Sequence, residues 1–323
     1  MFKDKLQGRI LVIFSDPGGA KPCLSICESI DALDLLIISD REYVFYNDFK
    51  SKVKVVKRSN EIIKYIDEFK PDIVFTGTSY TSDLEKKAID YSKKKDIFTI
   101  SFVDHWTSIS DRFLTKGGIN FPSEIWVLDE RAKQIAIEEK IAKSKLFVAG
   151  NPYHVWLKNW KPKINRMQFY SNLHLDETKK MILFAPDPLS NVNGIEKFGF
   201  DEFVASRKVR ECITEADKNF KDTYHFLIKM HPNQSVEKLV EIFEDKNNFT
   251  ILPLDVDTNQ SIYFADIIMG FFSSLLIEAN IMNKPIIRFL DNHLNNDPFK
   301  GLNIGVEANS ENLVSNIIHL DEY

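Results

Sequence analysis

Short apolar runs separated by amphipathic stretches recur along the whole chain. In the first half they fall at residues 9–14, 35–39, 53–56, 72–76, 97–103, 125–128 and 146–149. Most are rich in Ile, Val and Leu and do not alternate with polar residues. Both faces of each strand should therefore be covered, as in parallel sheets buried between helix layers. Helical periods occupy 60–69, 82–94 and 130–140. A second series follows, with strands expected at 181–185, 224–230, 250–252, 267–269 and 285–289 and helices at 202–219, 236–243 and 274–281. This alternation predicts an α/β protein with two doubly wound, Rossmann-like sheets. The tail, 311–320, reads as a closing helix with Ser310 as its N-cap, able to pack back on the N-terminal domain.

Length supports the division, because 323 residues exceed the usual extent of one hydrophobic core. The basic, Trp-containing stretch around 156–163 marks the boundary, giving domains at 1–157 and 158–323. A hydrophobic content of 44% with 25 Phe supplies material for two packed cores and argues against disorder. The formal charge of -5 argues against a nucleic-acid partner, which needs a basic surface. Local basic clusters at Lys93, Lys94 and Lys95 and at Lys158, Lys161 and Lys163 read as solvated faces, or at most as a weak membrane-surface contact. No run approaches the ~20 apolar residues needed to span a bilayer. The apolar N-terminal stretch is too short for a signal sequence, so the expectation is a cytoplasmic protein, with at most peripheral attachment at the inner membrane face. Cys23, Cys27 and Cys212 form no metal-ligand pattern, and the first two read as small core thiols in a reducing compartment.

In open α/β sheets ligands bind beyond the carboxyl ends of the strands, and two such sheets facing each other would create one deep cleft. Residues just after strands thus carry the functional weight. In the second half these are the segment Lys229, Met230, His231, Pro232 and Asn233, and the segment running from Gly270 through Ser273 and Ser274 to Glu278 and Ala279. Hydroxyl residues at a helix start suit an anion, because the unpaired N–H groups and the helix dipole both favour negative charge. Glu278, about one turn after Ser274, is placed to accept hydrogen bonds from ribose hydroxyls.

In the first half, Ser15, Asp16, Pro17, Gly18 and Gly19 follow the first strand, where glycine permits close approach of a phosphate or sugar. The stretch lacks the spacing of a dinucleotide fingerprint. Asp104, His105 and Trp106 follow the fifth strand: a carboxylate and an imidazole are both candidate general bases, and the indole is a candidate platform for a sugar ring. Asp104 and His105 diverge as chain neighbours and need not form a relay. The loop from Gly150 to Tyr153 reads as an exit from the first sheet. The histidines and carboxylates are too scattered to specify a metal centre.

The second-half pattern, Lys-x-His-Pro followed by Ser-Ser-x-x-x-Glu-Ala and a Lys-Pro-Ile-Ile strand, resembles the donor domain of bacterial GT-B glycosyltransferases, in particular the sialyltransferase-like and CDP-glycerol glycerophosphotransferase-like groups. The resemblance implies that His231 and Pro232 contact a cytidine nucleotide and that Ser273 and Ser274 hold its phosphate. In this fold donor phosphates often lie at the loop from Ala185 to Ser190, which a rigid proline turn explains as well; Ser190 is a candidate donor contact beside Gly18, Gly19 and Glu278. The acidic segment that several sialyltransferase groups use as base is not found, which leaves Asp104, His105 and, in reserve, Asp16 as candidates. The expectation is a metal-independent glycosyltransferase without a cofactor. It would move a sugar, such as a nonulosonic acid from a CMP- or CDP-linked nucleotide sugar, to a glycan or lipid-linked acceptor in surface polysaccharide synthesis. The alternatives are a CDP-alditol phosphotransferase, a UDP-sugar 2-epimerase and a non-catalytic nucleotide-sugar-binding subunit.

Overall fold

The computed structural model describes residues 2–30, 34–106, 108–231, 234–244, 248–291 and 297–322. The chain divides into two compact units, Met1–Trp156 and Leu157–Tyr323, with the division inside the helix Pro152–Asn159.

The first unit holds β1 (Arg9–Phe14), β2 (Asp34–Ser39), β3 (Val53–Val55), β4 (Ile73–Thr76), β5 (Phe98–Phe102), β6 (Leu114–Thr115), β7 (Gly118–Ile119), β8 (Glu124–Val127) and β9 (Leu146–Val148). Seven of these form a sheet in the order β3-β2-β1-β4-β5-β8-β9, parallel at every pair. β6 and β7 make a separate antiparallel hairpin that the hydrophobic pattern did not reveal, because each strand is only two residues long. Ile10 to Phe14 of β1 are all buried, as the unbroken apolar run requires. Each such side chain contributes about 1.5–3 kcal/mol relative to exposure. The helix Glu61–Phe69 buries Ile62 and Ile66, four apart on one face, and ends where Lys70 turns left-handed at φ 50°.

The second unit repeats the plan with β10 (Lys180–Ala185), β11 (Tyr224–Ile228), β12 (Phe249–Ile251), β13 (Ile267–Gly270), β14 (Ile286–Phe289) and β15 (Val306–Ala308). Their order is β12-β11-β10-β13-β14-β15, again all parallel. Both sheets are therefore doubly wound in the Rossmann sense, the GT-B class of domain. The connection order reverses between β1 and β4 in one unit and between β10 and β13 in the other. Those switch points are where strand-end loops part and leave room for ligand.

Two sequence expectations are corrected. The single helix over 202–219 is two helices, Glu202–Glu215 and Lys218–Thr223, because Asp217 caps the second by accepting from the Phe220 N–H at 2.8 Å. Ser310 is not the cap of the last helix, Leu313–Asp321, whose N-cap is Asn312; the Ser310 hydroxyl donates instead to Asp291 at 2.7 Å. Asn309 and Asn312 exchange side-chain and backbone bonds there and set the helix start two residues later than expected. The last helix packs against the helix Glu202–Glu215 and strands β13 to β15 of its own unit, and Tyr224 and Lys180 both donate to Asp321. Among the described residues no helix is long and apolar enough to cross a membrane.

Candidate functional site

In the second unit the loops after β10, β11 and β13 are tied into one surface. Asp187, after β10, accepts from the Phe272 N–H after β13 at 2.9 Å. Gln234, after β11, donates its amide to the Pro186 carbonyl at 2.8 Å and accepts from the His231 N–H at 2.7 Å. Burial raises the Asp187 pKa to about 6, opposed by its bond from the Phe272 N–H and by the nearby Ser273 hydroxyl. Ser273 is the N-cap of the helix Ser274–Ile281, yet its hydroxyl is buried and makes no hydrogen bond at normal distance to a described residue. Ser274 is exposed at the helix start, and Glu278 is buried rather than solvated. The side chain of His231 is open to solvent, although surrounding protein desolvates its ring enough to lower its pKa and favour neutral imidazole. Pro232 and Asn233 lie outside the described residues. The Ser190 hydroxyl donates to buried Glu202 at 2.7 Å and its N–H donates to the other carboxylate oxygen at 2.8 Å, so this side chain anchors its loop.

Two supports of this surface carry weak sequence signals. Arg288, a charged residue inside the apolar strand β14, donates to the Phe271 carbonyl at 3.1 Å and to Asp297 at 2.5 Å, which fixes the approach to Ser273. Lys229 is buried and its ammonium bonds the Val256 carbonyl, with burial lowering its pKa.

The first unit builds a comparable surface. Asp16 occupies the N-cap of the helix Pro17–Ser29, but its carboxylate bonds across to other loops instead of to the helix. Oδ1 accepts from Arg41 at 3.0 Å and from Thr81 at 2.5 Å, and Oδ2 accepts from the Tyr80 N–H at 3.0 Å. Gly19 meets Gly77 backbone to backbone: a Cβ on Gly77 would stand 2.9 Å from the Gly19 Cα. A Cβ on Gly18 would stand 1.9 Å from Asp104 Oδ2, so the carboxylate rests on this glycine. Arg112, buried, donates from one nitrogen to Asp104 and to Thr78, each at 3.0 Å, with its guanidinium 4.7 Å from the Tyr80 ring centre. Asp104 and His105 therefore part company as expected: the first turns to Arg112, while the second is exposed with its pKa lowered by desolvation. Trp106 is anchored by its indole N–H, which donates to Asp129 at 2.8 Å.

Sequence reading passed over Glu85, on the helix Leu84–Lys94. It is 3% exposed and accepts from Ser15 at 3.1 Å and Ser79 at 2.9 Å, joining the same two loops that Asp16 joins. Its Oε1 is buried without a described partner, and burial raises its pKa to about 7. A carboxyl with a raised folded pKa stabilises the protein below its unfolded pKa and loses that contribution as pH rises through the folded value. Glu85→Gln should therefore match the wild type near pH 4. It should then become the more stable protein above pH 7, by up to about 3 kcal/mol for a shift from 4.5 to about 7. Denaturant midpoints of both proteins across that range measure the difference, and a pH-independent gap would show that Glu85 is not held protonated.

Among the described residues no group of three or more His, Cys, Asp or Glu could hold a metal ion. Cys23 and Cys27 are free and buried, with burial raising both thiols.

The two doubly wound sheets and their switch points define a fold of the GT-B type. Residues 139–295 match the family described as CDP-Glycerol:Poly(glycerophosphate) glycerophosphotransferase. That stretch contains Asp187, His231, Ser273, Ser274 and Glu278 and stops short of Asp16, Asp104 and His105. Among solved structures, UDP-GlcNAc 2-epimerase from Methanocaldococcus jannaschii is similar with a TM-score of 0.64 at 16% identity, covering 98% of this chain and 92% of that one. The UDP-GlcNAc 2-epimerase from Neisseria meningitidis bound to UDP-GlcNAc is similar with a TM-score of 0.63 at 15% identity, covering 98% and 92%. At such identities the likeness is one of fold. No curated protein matches the chain.

Proposed function

We propose that the chain transfers a group from a cytidine-nucleotide donor to an acceptor hydroxyl, in the assembly of a surface polymer. The observation that carries this reading is the surface formed by the loops after β10, β11 and β13, which lies within the stretch similar to CDP-glycerol transferases. His231 and its neighbours hold the nucleotide, Ser273 and Ser274 hold the donor phosphate at a helix start, and Glu278 serves the ribose. In the first unit Asp16 already accepts three hydrogen bonds, which leaves Asp104 and His105 as the stronger candidates for the base.

The family similarity favours a CDP-linked alditol phosphate as donor. The acceptor oxygen then attacks the alditol-bearing phosphorus, its proton passes to the base, and the P–O bond to CMP breaks with the electron pair leaving on CMP. Transfer of a nonulosonic acid from CMP would use the same phosphate contacts. CDP-glycerol and CMP-sialic acid, each offered with a hydroxylated acceptor, separate the two by product. A second reading, UDP-sugar 2-epimerisation, is favoured by the whole-chain fold likeness; it would turn over UDP-GlcNAc with no acceptor present.

Ser273→Ala with Ser274→Ala should weaken donor binding at least about tenfold, because hydrogen bonds to charged groups contribute roughly 1.5–3 kcal/mol each. Calorimetric titration of CDP-glycerol into the folded variant measures this, and unchanged affinity would remove the helix start from the donor site. The free N–H groups there meet the phosphate charge as it develops, so transfer should persist in EDTA. Loss of activity restored by added magnesium or manganese would overturn the metal-independent assignment.

A further inference from the structure

The loops after β1 and β4 are tied together at three levels. On the more exposed side Asp16 accepts from the Tyr80 N–H and the Thr81 hydroxyl. Beneath it Gly19 and Gly77 meet backbone to backbone. On the inner side the Ser15 hydroxyl, at 3.1 Å, and the Ser79 hydroxyl, at 2.9 Å, both donate to Oε2 of Glu85. Ser15, Ser79 and Glu85 are all buried. The same two loops form the surroundings of Asp104. Gly18, three residues after Ser15, carries Asp104 Oδ2, and Thr78, next to Ser79, shares one Arg112 nitrogen with Asp104 Oδ1. A shift of either loop therefore moves a wall against which Asp104 rests.

We infer that Glu85 is a positioning residue: its carboxyl holds the loops after β1 and β4 at the separation that places Asp104, with Arg112 beside it, for reaction with the acceptor. The inference rests on the role proposed above for Asp104. Packing does not explain a carboxyl here, since an apolar side chain of similar volume would avoid the burial cost that Glu85 carries above neutral pH. What an apolar side chain cannot do is accept both buried hydroxyls on one oxygen and so fix the spacing of the segments that carry them.

Glu85→Ala should lower turnover with CDP-glycerol at least about tenfold and leave calorimetric donor affinity unchanged, because small misplacements of reacting groups cost up to about 10²-fold. Glu85→Gln should recover most of the loss, since its amide oxygen can accept from both serines. Ser79→Ala, a smaller change, should act in the same direction and add little to Glu85→Ala, because both cut one link. Hydrogen exchange at residues 15–19 and 77–81 reads that link without any reaction: it should be faster in Glu85→Ala and restored in Glu85→Gln. Should Glu85→Ala fail to fold, Ser79→Ala alone must show both the faster exchange and the loss of turnover. A wild type that does not use CDP-glycerol would overturn the proposed reaction and leave exchange to decide the clamp. Wild-type exchange or full turnover in Glu85→Ala, or additive losses from Glu85→Ala and Ser79→Ala, would each overturn the inference.

Discussion

Replacing Asp104 with Asn should lower turnover by about 10²- to 10⁴-fold while leaving donor affinity near the wild-type value. Asn keeps the size of the side chain and can still accept from Arg112 through its carbonyl oxygen, so the surroundings of Gly18 and Thr78 are preserved. What it loses is the second carboxylate oxygen, Oδ2, the one that rests on Gly18, and with it the capacity to take a proton. Donor binding is assigned to residues of the second unit and should not register the change. Steady-state kinetics with CDP-glycerol, paired with calorimetric affinity, separates the two effects. His105→Ala and Asp16→Asn are the comparisons: near-full turnover in Asp104→Asn, with either of the others inactive yet folded and donor-competent, moves the base to that residue.

Arg112→Ala should destabilise the protein by about 3–5 kcal/mol, the usual loss when one partner of a buried ion pair is removed. The guanidinium side chain is 7% exposed and its Asp104 partner 21%, so water compensates only part of the stranded charge. The same nitrogen also bonds Thr78, which joins the loop after β4 to the loop after β5. In a domain of this size a loss of 1 kcal/mol lowers the melting temperature by roughly 2–4 °C, so a fall of about 6–20 °C is expected by calorimetry. Arg112→Lys should recover only part, since the lysine side chain is shorter and loses the planar guanidinium that lies over the Tyr80 ring. A loss below about 1 kcal/mol would mean that the pair behaves as a surface ion pair.

How much of this was legible in the sequence varied with the range of the interaction. Strands such as β1 and β10 were readable because five or six consecutive apolar residues admit few other structures, and the doubly wound class followed from their alternation with helices. The turns holding Asp16, Asp104, His231 and Ser273 were found because each directly follows such a strand. Their supports were not. Glu85 sits in a helix whose opening, Leu-Glu-Lys-Lys, looks solvated, and its burial depends on Ser15, seventy positions earlier. Gly77, Thr78 and Arg41 carry no local pattern that announces contact with the first loop. Arg288 did offer a signal, a lone charge in an apolar strand, and Asp187 offered a carboxylate between two prolines. In both cases the partner backbone, at Phe271 and Phe272, could be assigned only after the sheet order was known.

The contact between Gly19 and Gly77 also bears on how this protein could be redesigned. With no room for a β-carbon on either side, the two loops form one rigid saddle, which cannot be widened or padded one substitution at a time. Under the acceptor role proposed for the first unit, changes in acceptor preference would come from the rim around that saddle, from Arg41, Tyr80 and His105. A library for altered specificity gains by randomising those positions and leaving the saddle untouched.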